Sequence, residues 1–260
     1  MIACAVATVS TAQSTTPPDA QPLQFEVATI KPSDPDLVGR GVGVRGHRFT
    51  SVHASLIDLI AYAYSLHNKQ VIGPEWVDTE KFDIVAQPPD SVTTLNQNQG
   101  KQMLQKLLAD RFQLRFHQEK KEMAAYVLGV SKTGSKLTVD NEPDNGTPSL
   151  SLPGFSARKF GEVTAHNARL GDFAQFMQSI VLDRPVVDQT GLTERYNFTL
   201  NWTPDETQFA ILARLAPQPG TGDAPSLFTA IREQLGLTLE PKRIPVTVLV
   251  IDHAGQPTPN

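Results

Sequence analysis

The chain has 260 residues, 40% hydrophobic and 19% charged, enough apolar material for a sizeable core in an ordinary globular balance. Its net charge of −4, without a long basic run, excludes nucleic acid as the main partner, because phosphate recognition needs concentrated positive charge. A single cysteine, Cys4, excludes an intrachain disulfide and a cysteine-rich zinc centre.

Residues 1–12 are expected to be the remnant of an export signal whose start lies upstream. Ile2 to Val9 are small and apolar, and Ser10-Thr11-Ala12 puts small residues at the −3 and −1 places of a cleavage site before Gln13. Cys4 falls inside that segment, so the mature chain is expected to lack cysteine and to lie outside the cytoplasm, periplasmic or secreted. Residues 13–24, rich in Pro, Thr and Ser, are expected to form a disordered lead-in. No later segment approaches the ~18 apolar residues of a membrane-spanning helix.

From Phe25 to Ile30 apolar and polar residues alternate at most positions, which predicts a half-buried strand ended by Lys31-Pro32. Residues 38–46 carry four glycines and are expected to loop before a strand over 48–52. Leu56, Leu59, Ile60, Ala63 and Tyr64 recur at helical spacing and predict a helix over 54–66, with Ser55 or His53 near its start. Gly73-Pro74-Glu75-Trp76 is expected to turn, residues 82–86 to form a strand and residues 97–110 a second helix. Residues 112–116 and 125–130 are expected to pair as a hairpin around Glu119-Lys120-Lys121-Glu122. The nearly continuous apolar run at 126–130 predicts burial on both faces, or a position where the two halves of the chain meet.

Residues 138–156 are punctuated by Pro and Gly and are expected to link two units. Beyond them the pattern predicts a strand, a helix over 170–182, a strand over 196–202, a loop over 204–224 with an apolar stretch at 209–213, and a helix over 225–235 stopped by Gly236. A hairpin of 237–240 with 246–252 is expected to close the chain. The order echoes the first half. Phe49-Thr50-Ser51-Val52-His53-Ala54 aligns with Val163-Thr164-Ala165-His166-Asn167-Ala168 at an offset of 114 residues, which also relates Asp58 to Asp172 and Phe82-Asp83 to Tyr196-Asn197. After a longer second loop the match resumes at an offset of 123, as in Tyr126-Val127-Leu128 against Leu249-Val250-Ile251. The expected fold is therefore α+β: two tandem β-α-β-α-β-β repeats, 25–137 and 157–260, each a small sheet with helices on one face.

No G-x-S-x-G, H-E-x-x-H or P-loop motif is present. Gly41 to Gly46 has G-x-G-x-x-G spacing but precedes a strand, whereas a dinucleotide fingerprint opens a helix. The six histidines are scattered, so no metal or cofactor is expected. His117 and Glu119 share a strand face and are read as a solvated edge, and Asp252-His253 point to opposite faces at a strand end. Asp58 and Asp172, early in their helices, are read as electrostatic caps. Asp188-Gln189-Thr190-Gly191 predicts an Asx turn, with Asp188 accepting N–H bonds and Gly191 at positive φ. Asp188, Thr190 and Gly191, with Trp76 at the matching place of the first unit, are the candidate partner-binding residues.

Phe25 to Ser33, Leu107-Leu108-Ala109-Asp110-Arg111-Phe112, Pro185 to Leu192, Pro225 to Ala230 and Val248 to His253 together resemble the motifs of a soil-associated bacterial family of exported proteins of unknown function. The sequence departs from that pattern at Thr193-Glu194, where the family usually has a glycine. The resemblance implies an extracytoplasmic location and assigns no catalytic residues; the same domain follows BlaR-type membrane metallopeptidases. Each unit is also similar in order to the short N-terminal domains of secretins and TonB-dependent receptors, which bind other proteins. The leading expectation is a non-enzymatic extracytoplasmic module that binds another protein through its sheet edges and the two turns. The alternatives are a hydrolase or other enzyme with a site between the repeats, and a regulator of a membrane peptidase.

Overall fold

The computed structural model describes residues 23–36, 39–141, 149–151, 160–210 and 223–257. Residues 1–12, expected to be a signal remnant and containing Cys4, residues 13–22 of the expected lead-in and residues 211–213 of the long loop lie outside them.

The fold is α+β and contains three four-stranded sheets. In the first, β1 (Val27–Pro32), β2 (Gly41–Arg45), β3 (Arg48–Ser55) and β5 (Lys81–Gln87) stand in the order β1-β5-β3-β2, all antiparallel. Helices α1 (Leu56–Tyr64) and α3 (Gln97–Arg111) pack with it around Phe49, Leu59, Ile60, Ile84, Leu104 and Phe112. Both helices start where the sequence supplies a reciprocal cap. Ser55 Oγ takes the Asp58 N–H while Asp58 takes that of Ser55, and Asn96 and Gln99 do the same for α3. β2 corrects the expected loop: Val42 and Val44 face the same way as Phe49, and Val44 nests against Gly100 of α3, where a Cβ would lie 2.4 Å from its Cγ2.

The second sheet has a comparable strand order. β7 (Thr138–Val139), β8 (Ser149–Ser151), β9 (Glu162–Ala168) and β11 (Tyr196–Asn201) stand in the order β7-β11-β9-β8, so the strands related by the 114-residue offset occupy like positions. The two short edge strands β7 and β8 fall within the stretch expected to be linker. α4 (Leu170–Phe176) is shorter than expected because a π-helical turn, Met177–Val181, follows it. Phe209 of the long loop is buried and stacks on Trp202. α5 (Leu227–Leu235) is capped by Ser226 and ends at Gly236, at φ 67. A Cβ there would lie 2.2 Å from the Gly134 carbonyl oxygen. Gly236→Ala is therefore expected to combine backbone strain with a clash and to cost roughly 3 kcal/mol, read as a lowered denaturant midpoint.

The third sheet overturns both expected hairpins. β6 is one strand, Arg115–Val130, and β12 is one strand, Leu237–His253; they pair antiparallel along nearly their whole length. Glu119 to Glu122 contains no residue that favours a tight turn, so β6 runs straight on and finds its partner in the other half of the chain. Two short strands finish the sheet in the order β10-β6-β12-β4: β10 (Val186–Asp188) parallel to β6 and β4 (Val71–Ile72) parallel to β12. β4 from the first half thus pairs with a strand of the second, and β10 from the second with a strand of the first. Of the apolar run 126–130, residues 126–128 are buried together with Ala125, whereas Gly129 is half-buried and Val130, at the end of the strand, is exposed.

The ladder has a fixed parity. Tyr126 N–H donates to Pro185 and Leu128 C=O accepts from Gln189, so even-numbered residues of β6 point away from β12. Their register partners, odd-numbered in β12, point away from β6. Pro241 and Pro245 are of this class, which explains two prolines inside a long strand: neither position owes the ladder an N–H.

Candidate functional site

The two halves also meet beside the central sheet, at the end of α1. There Ser65 caps the helix in the left-handed conformation, φ 57 and ψ 42, which is unusual for a residue other than glycine. Lys101 of α3 donates from Nζ to Ser65 Oγ at 2.8 Å and stands over the Tyr62 ring, 5.8 Å from its centroid. Burial pulls the Lys101 pKa down, against the opposing influence of Asp172 on α4. Burial also pushes the Tyr62 hydroxyl up to about 12, with the Val44 N–H acting in the other direction.

From the other half, Gln178 joins the bodies. Its Nε2 donates to the Ser65 carbonyl at 3.3 Å and its Oε1 accepts the Val186 N–H at 3.0 Å. Gln70 donates to the Thr247 carbonyl at 2.9 Å and accepts the His67 N–H. His67 Nδ1 in turn accepts the Lys69 N–H at 3.1 Å, and its ring bonds the Leu182 backbone across the junction. Burial first and Lys69 second hold the His67 pKa at about 4, against Asp183 and the Leu182 bond. Lys69 pairs with Asp183 at 3.8 Å, while Arg184 forks onto Asp183 and lies over the Tyr126 ring. These contacts frame a cleft of about 210 Å³ lined by Ser65 and Gln70 from one half and by Gly171, Gln175, Gln178 and Asp188 from the other.

Of the residues singled out in the sequence, Asp188 therefore lines the cleft. Its turn forms as expected: Oδ1 accepts from Thr190 N and Oγ1 at 2.9 and 2.7 Å, and Gly191 stands at φ 68. Trp76 does not join it. It opens a short helix, α2 (Trp76–Thr79), instead of ending a turn, and packs half-buried on the first core. The Asp188 turn and Trp76 follow β10 and β4, which lie at opposite edges of the central sheet.

A second cluster unites Ser33, His53 and Asp83. The hydroxyl of Ser33 donates to Asp83 Oδ1 at 2.8 Å and lies 3.2 Å from His53 Nδ1; the backbone N–H of His53 donates to the same carboxylate oxygen at 2.9 Å. A hydrolytic triad would instead have the imidazole between serine and aspartate. Here His53, at φ 49, sits where β3 slips register against β5, and Asp83 catches the N–H that the bulge frees. The 114-residue counterparts make the same lock with no catalytic chemistry: Asn167, at φ 51, gives its N–H to Asn197 Oδ1, and its Nδ2 donates to Asp140. Burial opposes ionisation of Asp83, but bonds from His53 and Ser33, with Lys31 nearby, outweigh it and hold the carboxyl below its usual range. We expect Asp83→Asn to fold like the parent and Asp83→Ala to cost about 2 kcal/mol, compared by urea melts. The offset that pairs His53 with Asn167 was visible in the sequence; the cross-strand bond was not.

The helix carboxylates are also structural. Asp58 is buried and accepts from Ser55 N, Arg40 Nη1 and Asn68 Nδ2, and Asp172 accepts the Arg169 N–H. His117 bonds Asp252 at 2.8 Å across β6 and β12, and no group of three potential metal ligands exists among the described residues. No helix among them is long and apolar enough to cross a membrane.

Fold and site thus define an α+β protein of two interlocked bodies with a small polar cleft at their junction. The chain belongs to the family DUF3738, described as proteins of unknown function, whose pattern matches residues 57–254. No curated protein and no solved structure matches it.

Proposed function

We propose that the chain is a non-enzymatic, extracytoplasmic binding module that engages another protein at the junction cleft and the Asp188 turn. The observation that carries this reading is that a pre-organised exposed turn forms one wall of a cleft built from both halves. A turn already held by Asp188 loses little freedom on binding, so more of its contact energy becomes affinity. The small-residue pattern before Gln13 and the resemblance to soil-associated exported proteins support the location. The test is capture of a specific partner from extracytoplasmic extract by the full chain and its variants. Asp188→Ala is expected to abolish capture at unchanged thermal stability, while Trp76→Ala, on the other edge, preserves it; equal capture by Asp188→Ala defeats the proposal.

A second reading, a hydrolase acting by acyl transfer, rests on the 2.8 Å contact between Lys101 Nζ and Ser65 Oγ at the cleft. A neutral lysine so placed takes the hydroxyl proton as serine attacks a carbonyl, and burial moves Lys101 in the required direction. A serine-directed acylating probe separates the readings. Labelling of Ser65 that disappears in Lys101→Met selects the enzyme, and absence of labelling removes it.

A further inference from the structure

The outer edges of the two long strands differ. On β12 the edge is interrupted: Pro241 and Pro245 offer no N–H, Gln70 caps the Thr247 carbonyl, and β4 covers Leu249 and Val250, which leaves the N–H groups of Leu239 and Arg243 separated by proline. On β6, β10 covers only Tyr126 to Leu128. Before it, by the parity of the ladder, Phe116, Gln118, Lys120, Glu122 and Ala124 direct their N–H groups outward, and none of these has a partner among the described residues. The edge carbonyl of Glu122 receives one long contact, 3.5 Å, from Arg243. Residues 117–122 are all exposed. The 123-residue offset relates Pro241 and Pro245 to Gln118 and Glu122, so the positions that disarm one edge are left armed on the other.

We propose that the open edge of β6 pairs antiparallel with the same edge of a second copy of this chain. This goes beyond the cleft reading and does not depend on it. An isologous contact must be self-complementary. Outward N–H groups belong to even residues, and a ladder pairs outward with outward, so the two-fold axis passes through a single residue. The open stretch runs from Arg115, where β6 begins, to Ala125, where β10 takes over. Pairing that uses all of it centres on Lys120. In that register each Glu119 faces the other copy's Lys121, Gln118 faces Glu122, and each Lys120 faces its own counterpart between Glu122 side chains on the diagonals. Charges along an edge repel most incoming strands, and the order Glu-Lys-Lys-Glu admits a strand of its own kind. The central sheets of two copies then join edge to edge.

Sedimentation of the full chain over a wide concentration range tests this. The parent is expected to show a monomer–dimer equilibrium. Gln118→Pro with Glu122→Pro copies the two prolines of the β12 edge and removes no inward ladder bond; it is expected to leave a monomer with unchanged melting behaviour. Glu119→Lys is expected to weaken the dimer by about tenfold, and adding Lys121→Glu to restore it. Should the proline variant fail to fold, the charge pair decides alone. A parent that stays monomeric at every concentration, a dimer that survives the prolines in a folded chain, or a charge swap without effect overturns the proposal, as does a monomer that takes a foreign extended peptide on this edge. Asp188→Ala, which tests the cleft, is expected to leave the dimer intact.

Discussion

Val127→Pro in β6 is expected to unfold the chain or to lower its stability by at least about 3 kcal/mol, while Glu122→Pro, five residues away in the same strand, costs little. Val127 is odd-numbered, buried and paired with Glu240, so its N–H belongs to the ladder with β12. Proline there removes a bond from a strand flanked on both sides, where no water replaces it. Glu122 is even-numbered and exposed, and its register partner is already Pro245. Because β6 and β12 each continue from one body into contact with the other, Val127→Pro is expected to loosen both bodies. Tryptophan fluorescence reports this: Trp76 packs on the first core and Trp202 on the second, and both signals are expected to shift together in a urea melt. A loss confined to one tryptophan contradicts the interlocked arrangement.

Acidification below neutral pH is expected to weaken the junction before it affects either core. Burial holds the His67 pKa at about 4 in the folded protein, against an ordinary histidine value of about 6.5. Its folded pKa is depressed, so the unfolded state binds the proton more readily. The associated stability is fully present above pH ~6.5 and is lost as pH falls toward ~4. A shift of that size corresponds to roughly 3 kcal/mol as an upper figure, since the imidazole is partly exposed. The charged groups around it are Lys69 and Asp183. Protonating Nδ1 removes the acceptor for the Lys69 N–H at the same time. Asp83 and Asp183 are held below their usual range, so their contributions are lost only at lower pH, and the interval between pH ~6.5 and ~4 separates His67 from these two carboxylates. His67→Gln is expected to flatten the urea-midpoint profile in that interval; an unchanged slope assigns the pH dependence elsewhere.

What the sequence revealed depended on how local the determining physics was. Helices α1, α3 and α5 were legible because periodicity, caps and the Gly236 stop act within a few residues. The Asp188 turn was legible for the same reason. β2 was not, since its glycines mimic a loop and its strand character comes from Val42 packing on the first core and Val44 meeting a helix more than fifty residues away. The two hairpins were misread because 115–130 and 237–253 each carry a polar middle that looks like a turn, and the alternative partner lies in the other half of the chain. A site between the halves was among the expectations, but apart from Asp188 its residues escaped for a related reason. Ser65, Gln70 and Gln178 are ordinary polar residues in separate segments, and only the meeting of the halves brings them together. The 114-residue offset exposed matching positions early, but it did not say that β4 and β10 each cross to the other half.

Residue-resolved amide hydrogen exchange along β6, at a concentration low enough to keep the chain monomeric, tests the ribbon most directly. Alternation is expected through residues 116–125: slow exchange at His117, Glu119, Lys121, Met123 and Ala125, whose N–H groups face β12, and fast exchange at Phe116, Gln118, Lys120, Glu122 and Ala124, whose N–H groups face solvent. Uniformly fast exchange from Glu119 to Glu122, with protection only on either side, would restore the hairpin and contradict the continuous strand that ties the two halves together.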